Sequence, residues 1–173
     1  MPYQMKGRKQ LSRSLTAKAT PRTCWGILAD SRWLPHWAPA VRDVEACDSA
    51  GESVGSVRHC NVELGGRAGK MVERCVDVAP ERAITYLVEG ESFGISAMFA
   101  DYGFRISLEP LDEHHTRVTI ETHYTPTSVP YAFLNAIVLR RQFRRVVDQL
   151  LGGLVGLAER RERQPDALAF THA

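Results

Sequence analysis

The sequence lacks the features that would place this chain in a membrane, outside the cell or on nucleic acid. No segment approaches the ~18 consecutive apolar residues that a membrane-spanning helix needs. The first ten residues are polar and basic, without the apolar run of a signal peptide. The formal net charge is only +2, which does not indicate a nucleic-acid-binding surface. We therefore expect a cytoplasmic globular protein that binds no nucleic acid.

Patterns typical of metal or nucleophile chemistry are also missing. The four cysteines are far apart and include no C-x-x-C pair, so small buried side chains are their simplest interpretation. His114 and His115 share a predicted turn, where a metal would need further converging ligands. There is no G-x-S-x-G motif, and 51–55 lacks the lysine of a phosphate-binding loop. The sequence predicts no metal and no cofactor.

What the sequence does contain is a clear order of structural elements. Alternation over 10–19 predicts a first strand, and Thr20-Pro21 predicts a helix start, since threonine caps free amides and proline suits the first turn. This helix should end near Asp30, and a second short helix, capped by Ser31, should run to Trp37. Beyond it, regularly spaced turn signals separate segments rich in β-branched and aromatic residues. They predict strands at 41–47, 56–64, 69–78, 83–89, 101–109 and 116–124.

The last element is a long amphipathic helix from Ser128 to about Arg163. A helix of about 30 residues is about 45 Å long, so we expect it to cross a whole sheet to bury its apolar stripe. The stripe, with a period of three to four residues, consists of Phe133, Ala136, Leu139, Phe143, Val146, Val147, Leu150, Leu154 and Leu157.

These elements predict an α+β helix-grip fold. A curved seven-stranded antiparallel sheet should wrap around the C-terminal helix, with two short helices after the first strand. We expect this domain to span 10–163, between a flexible N-terminal tail, 1–9, and a C-terminal tail, 164–173.

Such a fold should enclose a cavity. Seven strands curl strongly, and one helix ~10 Å wide cannot cover their concave face. Gly152, Gly153 and Gly156 add no side chains to fill the space, although close helix packing or fraying would also explain them. Strand alternation places apolar residues and tyrosines on the inner faces. This wall suits a small-molecule pocket, and a filled core is the alternative.

The candidate ligand-binding residues are those expected to line the cavity or its mouth. Five polar residues of strands whose facing is ambiguous could enter the cavity: Arg58, His59, Glu73, Arg74 and Glu89. An Arg–Glu pair across neighbouring strands would satisfy a buried charge, or it could lie on the solvated outer face. If His59 or Glu73 faces inward, it could act as an acid–base group. The apolar segment 90–100 could cover the mouth or simply plug the end of the sheet. The full set is Trp33, Trp37, His59, Glu73, Tyr86, Phe93, Met98, Phe99, Tyr102, Phe104, Tyr124 and Phe143.

Four arginines form a basic patch on the long helix. They could recruit an acidic protein partner or an anionic membrane surface, which would make the chain an interaction module, or they could be an ordinary solvated face. A homodimer is also compatible with the sequence. The patch consists of Arg140, Arg141, Arg144 and Arg145.

Several short motifs, taken in order, resemble the START-like (SRPBCC) superfamily and, within it, the polyketide cyclase/dehydrase-type group. The resemblance runs from about Gln10 to Arg163. The motifs are Thr20-Pro21-x-x-x-Trp25, Trp33-x-x-x-Trp37, Gly55-Ser56-Val57-Arg58, Pro80-Glu81-Arg82-x-Ile84-x-Tyr86, Thr116-Arg117-Val118-Thr119 and Tyr124-x-Pro126.

The resemblance implies an internal site for a lipid, quinone or polyketide-like molecule. Members of the superfamily either bind such molecules or catalyse cyclisation, aromatisation or dehydration. The residues that strand alternation assigns unambiguously to the inner face are apolar or tyrosine. Binding or carriage of a hydrophobic small molecule is therefore the favoured hypothesis. The alternative is a polyketide cyclase/aromatase/dehydratase-type enzyme, which would need Arg, His, Glu or Tyr groups converging deep in the same cavity.

Overall fold

A seven-stranded antiparallel sheet forms the frame of the protein. The computed structural model describes residues 3–47 and 52–164, and only the backbone of residues 46 and 47. The predicted C-terminal tail lies outside the described residues from 165 onward. The strand order is β1-β7-β6-β5-β4-β3-β2, which confirms the helix-grip prediction. The strands are β1 Lys9–Ala17, β2 Val41–Cys47, β3 Val57–Leu64, β4 Arg67–Ala79, β5 Ala83–Glu91, β6 Phe99–Pro110 and β7 Thr116–Pro126.

Two short helices connect β1 to β2. The first, α1 (Pro21–Leu28), begins where predicted, and the Thr20 side chain accepts a hydrogen bond from the Thr23 amide. A 3-10 turn, Ser31–Trp33, then leads into α2 (Leu34–Trp37). The predicted cap at Ser31 is wrong: the Asp30 carboxylate accepts from the Arg32 amide, and the Ser31 hydroxyl donates to Glu52 instead.

The apolar segment 90–100 is mostly regular structure rather than a loop. Strand β5 continues to Glu91, a single helical turn, α3 (Ile95–Met98), follows, and β6 starts at Phe99. Gly94 has φ +80, a left-handed conformation that favours glycine. Glu91 stabilises the turn by accepting from the amides of Phe93 and Ser96.

The C-terminal helix (129–163) comprises an α-helical turn, Val129–Leu134, a π-helical segment, Asn135–Leu139, and an α-helix, Arg140–Arg163. Ser128 caps it by accepting from the Tyr131 amide. No helix among the described residues is long and apolar enough to span a membrane.

Only the later part of this helix buries its apolar stripe. Leu154 and Leu157 are buried, whereas Phe133 is 68% exposed, so the expectation of a fully buried stripe is wrong at its start. Because a π turn holds more residues than an α turn, it shifts the helical phase. In this segment the buried side chain is Asn135.

Among Gly152, Gly153 and Gly156, only Gly153 is required for close packing. A Cβ at Gly153 would overlap the backbone carbonyl of Trp37, whereas one at Gly152 would meet nothing within 4 Å. Neither they nor Gly156 line the cavity. The first of the two explanations offered by the sequence, space for a cavity, is therefore wrong for these residues.

Candidate functional site

A partly open cavity of about 150 Å³ lies between the C-terminal helix and the concave face of the sheet. It begins beside α2 and ends beside α3, and most of its wall is aliphatic or aromatic. Its lining residues are Leu34, Trp37, Ala38, Ala40, Val41, Arg58, Val62, Leu64, Met71, Glu73, Ile95, Tyr102, Phe104, Ile106, Ile120, Thr122, Phe143, Val146, Val147 and Leu150.

One pair of charged side chains interrupts this apolar wall. Arg58 and Glu73 both line the cavity, and the Nε of Arg58 donates to the Oε2 of Glu73 at 2.6 Å. Behind them, Nη1 of Arg58 donates to Glu52 at 3.3 Å, and the guanidinium lies 3.9 Å from the ring centroid of Tyr86. The side chains of Arg58, Glu73 and Glu52 are only 4%, 9% and 1% exposed.

The local sequence explains how these charges come together. In β3, alternation places Arg58 on the same inner face as Cys60 and Val62. Arg58 stands directly opposite Glu73 of β4 in the strand register. Glu52 reaches the pair from the segment before β3, where it also accepts from the hydroxyls of Ser31 and Ser56.

The electrostatics of the cluster favour charge on the arginine. Burial opposes that charge, but the carboxylates of Glu73 and Glu52 hold the pKa of Arg58 well above its usual value. Burial also raises the pKa of Tyr86 well above the ordinary phenol value. One guanidinium thus contacts two carboxyl groups, those of Glu73 and Glu52. The wall thus offers a fixed donor beside a carboxylate.

Two further polar atoms at the wall are buried and make no hydrogen bond within residues 3–47 and 52–164. They are Nε1 of Trp37 and Oγ1 of Thr122, and both residues line the cavity. An unpaired buried polar atom costs free energy, but neither atom has appreciable accessible surface, so neither faces the open space of the cavity.

An aromatic cluster closes the cavity toward α3. Tyr102 and Phe143 line the cavity, and Phe99 and Tyr124 stand behind them. The ring centroids of Phe99 and Tyr124 are 4.5 Å apart, and those of Tyr124 and Phe143 are 5.4 Å apart. The hydroxyl of Tyr124 donates to Oδ1 of Asn135 at 2.8 Å, which ties the cluster to the π-helical segment.

A second, more open depression of about 300 Å³ lies next to this cluster. The pairing of β5 with β6 ends at Leu87 and Gly103, beyond which the two strands separate. The depression occupies this gap and shares Ile95 and Tyr102 with the cavity. The cavity and the depression therefore meet at these two side chains.

The structure brings together only part of the candidate set from the sequence. Trp37, Glu73, Tyr102, Phe104 and Phe143 line the cavity. Tyr86 lies behind the wall, stacked on Phe104 with centroids 5.2 Å apart, and Phe99 and Tyr124 form the second layer of the aromatic cluster.

Four candidates lie elsewhere. His59 is exposed on the outer face, because its neighbours Arg58 and Cys60 point inward, so an inward His59 is wrong. Trp33 is not at the mouth: it is buried in the core under the guanidinium of Arg161. Phe93 packs over Gly69, and Met98 ends α3 without lining the cavity.

Sequence reasoning missed several residues of the wall. Arg58 was a candidate for either facing but was not included in the set, although it alternates with Cys60 and Val62 on an apolar face. Glu52 carried no such signal, since it lies outside any strand. Thr122 stood on a correctly assigned inner face but was not included in the set. Within the described residues, no three His, Cys, Asp or Glu side chains cluster as metal ligands.

A sheet that grips one helix over a largely apolar cavity defines a START-like ligand-binding domain. The chain belongs to the polyketide cyclase/dehydrase and lipid transport family, whose model matches residues 8–159. This confirms the family resemblance seen in the sequence. No curated protein matches the chain.

Solved structures agree on the fold. The Zhui aromatase/cyclase from Streptomyces sp. R1128 superposes with a TM-score of 0.72 at 19% identity, over 90% of this chain and 96% of that one. A START superfamily protein from Mycobacterium smegmatis superposes with a TM-score of 0.63 at 18% identity, over 90% of this chain and 97% of that one. The ginseng major latex-like protein 151 from Panax ginseng superposes with a TM-score of 0.66 at 16% identity, over 84% of this chain and 94% of that one. At these identities the likeness concerns the fold alone.

Proposed function

We propose that this chain binds or carries a hydrophobic small molecule that has an oxygen-bearing end, and that this end lies against Arg58. The observation that carries the proposal is an apolar cavity wall interrupted by one arginine–glutamate pair. Burying apolar surface supplies affinity, whereas a few polar groups fix orientation.

The cavity volume limits the guest. A dry cavity of about 150 Å³ suits a molecule the size of benzene, and pockets for larger ligands are typically about 300–1,000 Å³. A lipid, quinone or polyketide-like guest would therefore place one ring or chain end in this cavity. Its remainder would extend past Ile95 and Tyr102 into the open depression.

Native mass spectrometry of the freshly purified chain tests this proposal directly. We expect a co-purified small molecule that is released on unfolding and whose mass names its chemical class. A cavity that is consistently empty, together with no binding of lipid, quinone or aromatic polyketide probes, would contradict the proposal.

A pair of variants on one helix localises the guest. Val146 lines the cavity and is 36% exposed, so Val146→Trp should fill the mouth without disrupting the deep core. Val129 is 83% exposed and does not line the cavity, so Val129→Trp is the matched control. We expect guest occupancy to fall at least tenfold in the first variant and to stay unchanged in the second.

The converging Arg58 and Glu73 also favour a second candidate function, a cyclase- or dehydratase-type enzyme. The Arg58 guanidinium would stabilise negative charge that develops on a carbonyl oxygen. The Glu73 carboxylate would accept a proton from the adjacent carbon. That carbon would attack a second carbonyl of the same molecule, and Glu73 would return the proton to the resulting alkoxide. Glu73 would then take a second proton from the same carbon, and this proton would leave with the hydroxyl as water while a carbon–carbon double bond forms.

Glu73→Gln separates the two functions because it removes the base at nearly constant volume. For a carrier, wild type and variant should hold the same guest. For an enzyme, the wild type should hold or release a product that is lighter by one water, and the variant should accumulate the uncyclised substrate. Arg74→Gln, at an exposed pair in the same strand, is the matched control and should behave as wild type.

A further inference from the structure

The start of the C-terminal helix presents an apolar surface to solvent. Val129, Phe133 and Ile137 follow one another at intervals of four residues and are 83%, 68% and 50% exposed. Leu134 and Val138, one residue further on in each turn, are 38% and 40% exposed. Isolated exposed apolar residues are ordinary, but a contiguous set on one helix marks an interaction surface.

A strongly basic surface continues directly from this apolar one. Arg140, Arg141, Arg144 and Arg145 are all exposed, and none forms an ion pair with a carboxylate in the described ranges 3–47 and 52–164. The stretch 129–147 contains no aspartate or glutamate. Exposed apolar side chains beside unpaired arginines are the two elements of interfacial membrane binding.

The position of this surface links it to the mouth of the cavity. The amide of Thr127, two residues before the helix, donates to the carbonyl of Met98 at 3.0 Å, so the helix start is tied to α3. Ile95 at the other end of α3 lines both the cavity and the open depression. A flat layer that contacts the helix start would thus lie beside the cavity mouth.

We propose that residues 129–145 are a docking surface for an anionic lipid bilayer. The apolar side chains enter the acyl region, and the arginines contact the acidic headgroups. An acidic protein would also attract the arginines, but five exposed apolar side chains in successive turns beside four arginines match a bilayer better. This docking does not depend on the identity or fate of the guest in the cavity.

Co-sedimentation of the full chain with lipid vesicles tests the proposal. One vesicle preparation contains phosphatidylcholine alone, and the other contains equal parts phosphatidylcholine and phosphatidylserine. We expect wild type to bind the mixed vesicles at least about tenfold more tightly, since each arginine near an anionic surface adds to the affinity. Phe133→Glu and the double variant Arg140→Glu/Arg144→Glu should each lose at least about tenfold of that affinity.

Matched controls keep the test specific. Leu111→Glu alters an apolar residue that is 42% exposed in the β6–β7 turn, and Arg67→Glu/Arg82→Glu reverses two exposed arginines elsewhere. Both controls should bind the mixed vesicles like wild type, and circular dichroism confirms that every variant folds. Glu73→Gln should also bind normally, which separates this result from the proposed cavity function.

Three results would overturn the proposal. The first is equal binding of wild type to both kinds of vesicle. The second is unchanged binding by both test variants. The third is an absence of vesicle binding combined with a concentration-dependent dimer that Phe133→Glu abolishes, which would make the surface an interface between two copies of the chain.

Discussion

Arg58 is the residue whose environment departs most from an ordinary core. A buried guanidinium loses its hydration, and only hydrogen bonds and opposite charge offset that cost. Arg58 finds both in Glu73 and Glu52, with the face of Tyr86 against its guanidinium. Such a cluster is weak evidence for stability as such. Its position at the cavity wall is what indicates a role in recognising a guest.

Removing the arginine should be costly. Arg58→Ala leaves two buried carboxylates without their cation, and breaking a buried pair in this way typically costs about 3–5 kcal/mol. Arg74→Ala breaks the pair of Arg74 with Glu89, in which each side chain is 40% exposed. This variant should lower the free energy of unfolding by about 1 kcal/mol or less. Urea unfolding measures both changes. Equal losses in the two variants would mean that the Arg58 cluster is hydrated and not buried.

The buried tyrosines predict a pH dependence at high pH. Burial raises the pKa of Tyr86, Tyr102 and Tyr124, whereas unfolded tyrosine titrates near pH 10. Above about pH 10 the unfolded chain therefore binds fewer protons than the native chain, so the free energy of unfolding falls as pH rises further. Below about pH 10 these three tyrosines do not make the free energy of unfolding depend on pH.

Tyrosinate absorbance checks this directly. At a pH just above 10 the native chain should show markedly less tyrosinate than the same chain in denaturant. Full ionisation of every tyrosine while the circular dichroism stays native would contradict burial of these three phenols.

At the scale of elements, the C-terminal helix has two parts with different roles. From Val147 onward it buries its stripe against the sheet and against the short helices α1 and α2. From Val129 to Leu139 most of its apolar side chains are exposed, and the buried side chain is Asn135, which accepts from Tyr124. The π-helical segment marks the change of phase between the two parts.

Two adjacent glycines test the packing of the later part. Gly152→Ala adds a methyl group in open space and should raise the free energy of unfolding by about 0.5–1 kcal/mol, because alanine favours the helix. Gly153→Ala forces a Cβ into the carbonyl of Trp37. It should lower the free energy of unfolding by about 2 kcal/mol or more. Thermal or urea unfolding measures both. Equal effects at the two positions would mean that α2 does not approach the helix closely.

At the scale of the whole molecule, sheet curvature, helix phase and cavity depend on one another. The gap between β5 and β6 opens where the curled sheet loses its pairing beyond Leu87. The exposed helix start lies beside α3, next to the same end of the cavity. A route for a guest, a site and a surface for docking can therefore coexist in one small domain.

Guest removal should lower the stability of the entire domain. A ligand at about 100 times its dissociation constant adds about 2.7 kcal/mol, which for a domain of this size corresponds to about 5–10 °C in Tm. Stripping a co-purified guest on a hydrophobic resin should lower Tm by this amount, and adding it back should restore it. Calorimetry follows both steps. An unchanged Tm after proven removal would contradict binding in the folded core.

Much of the fold could be predicted because its signals are local. Alternation in β6 and β7 correctly placed Tyr102, Phe104 and Ile120 on the inner face, and Thr20-Pro21 marked the helix start. The site was harder, because contacts between strands depend on register. The pairing of Arg58 with Glu73 follows from the β3–β4 alignment. Glu52 lies outside both strands, so their alignment does not predict its contact with Arg58.

The sequence by itself determined the elements, their order and the family, since periodicity, caps and turn residues act over a few neighbouring positions. Only the tertiary structure decided that His59 faces solvent, that Trp33 lies in the core, that Gly153 meets Trp37 and that the helix start stays exposed. These outcomes depend on which surfaces meet across long stretches of chain. A one-residue shift in strand register or one π turn reverses the facing of a side chain without changing the local pattern.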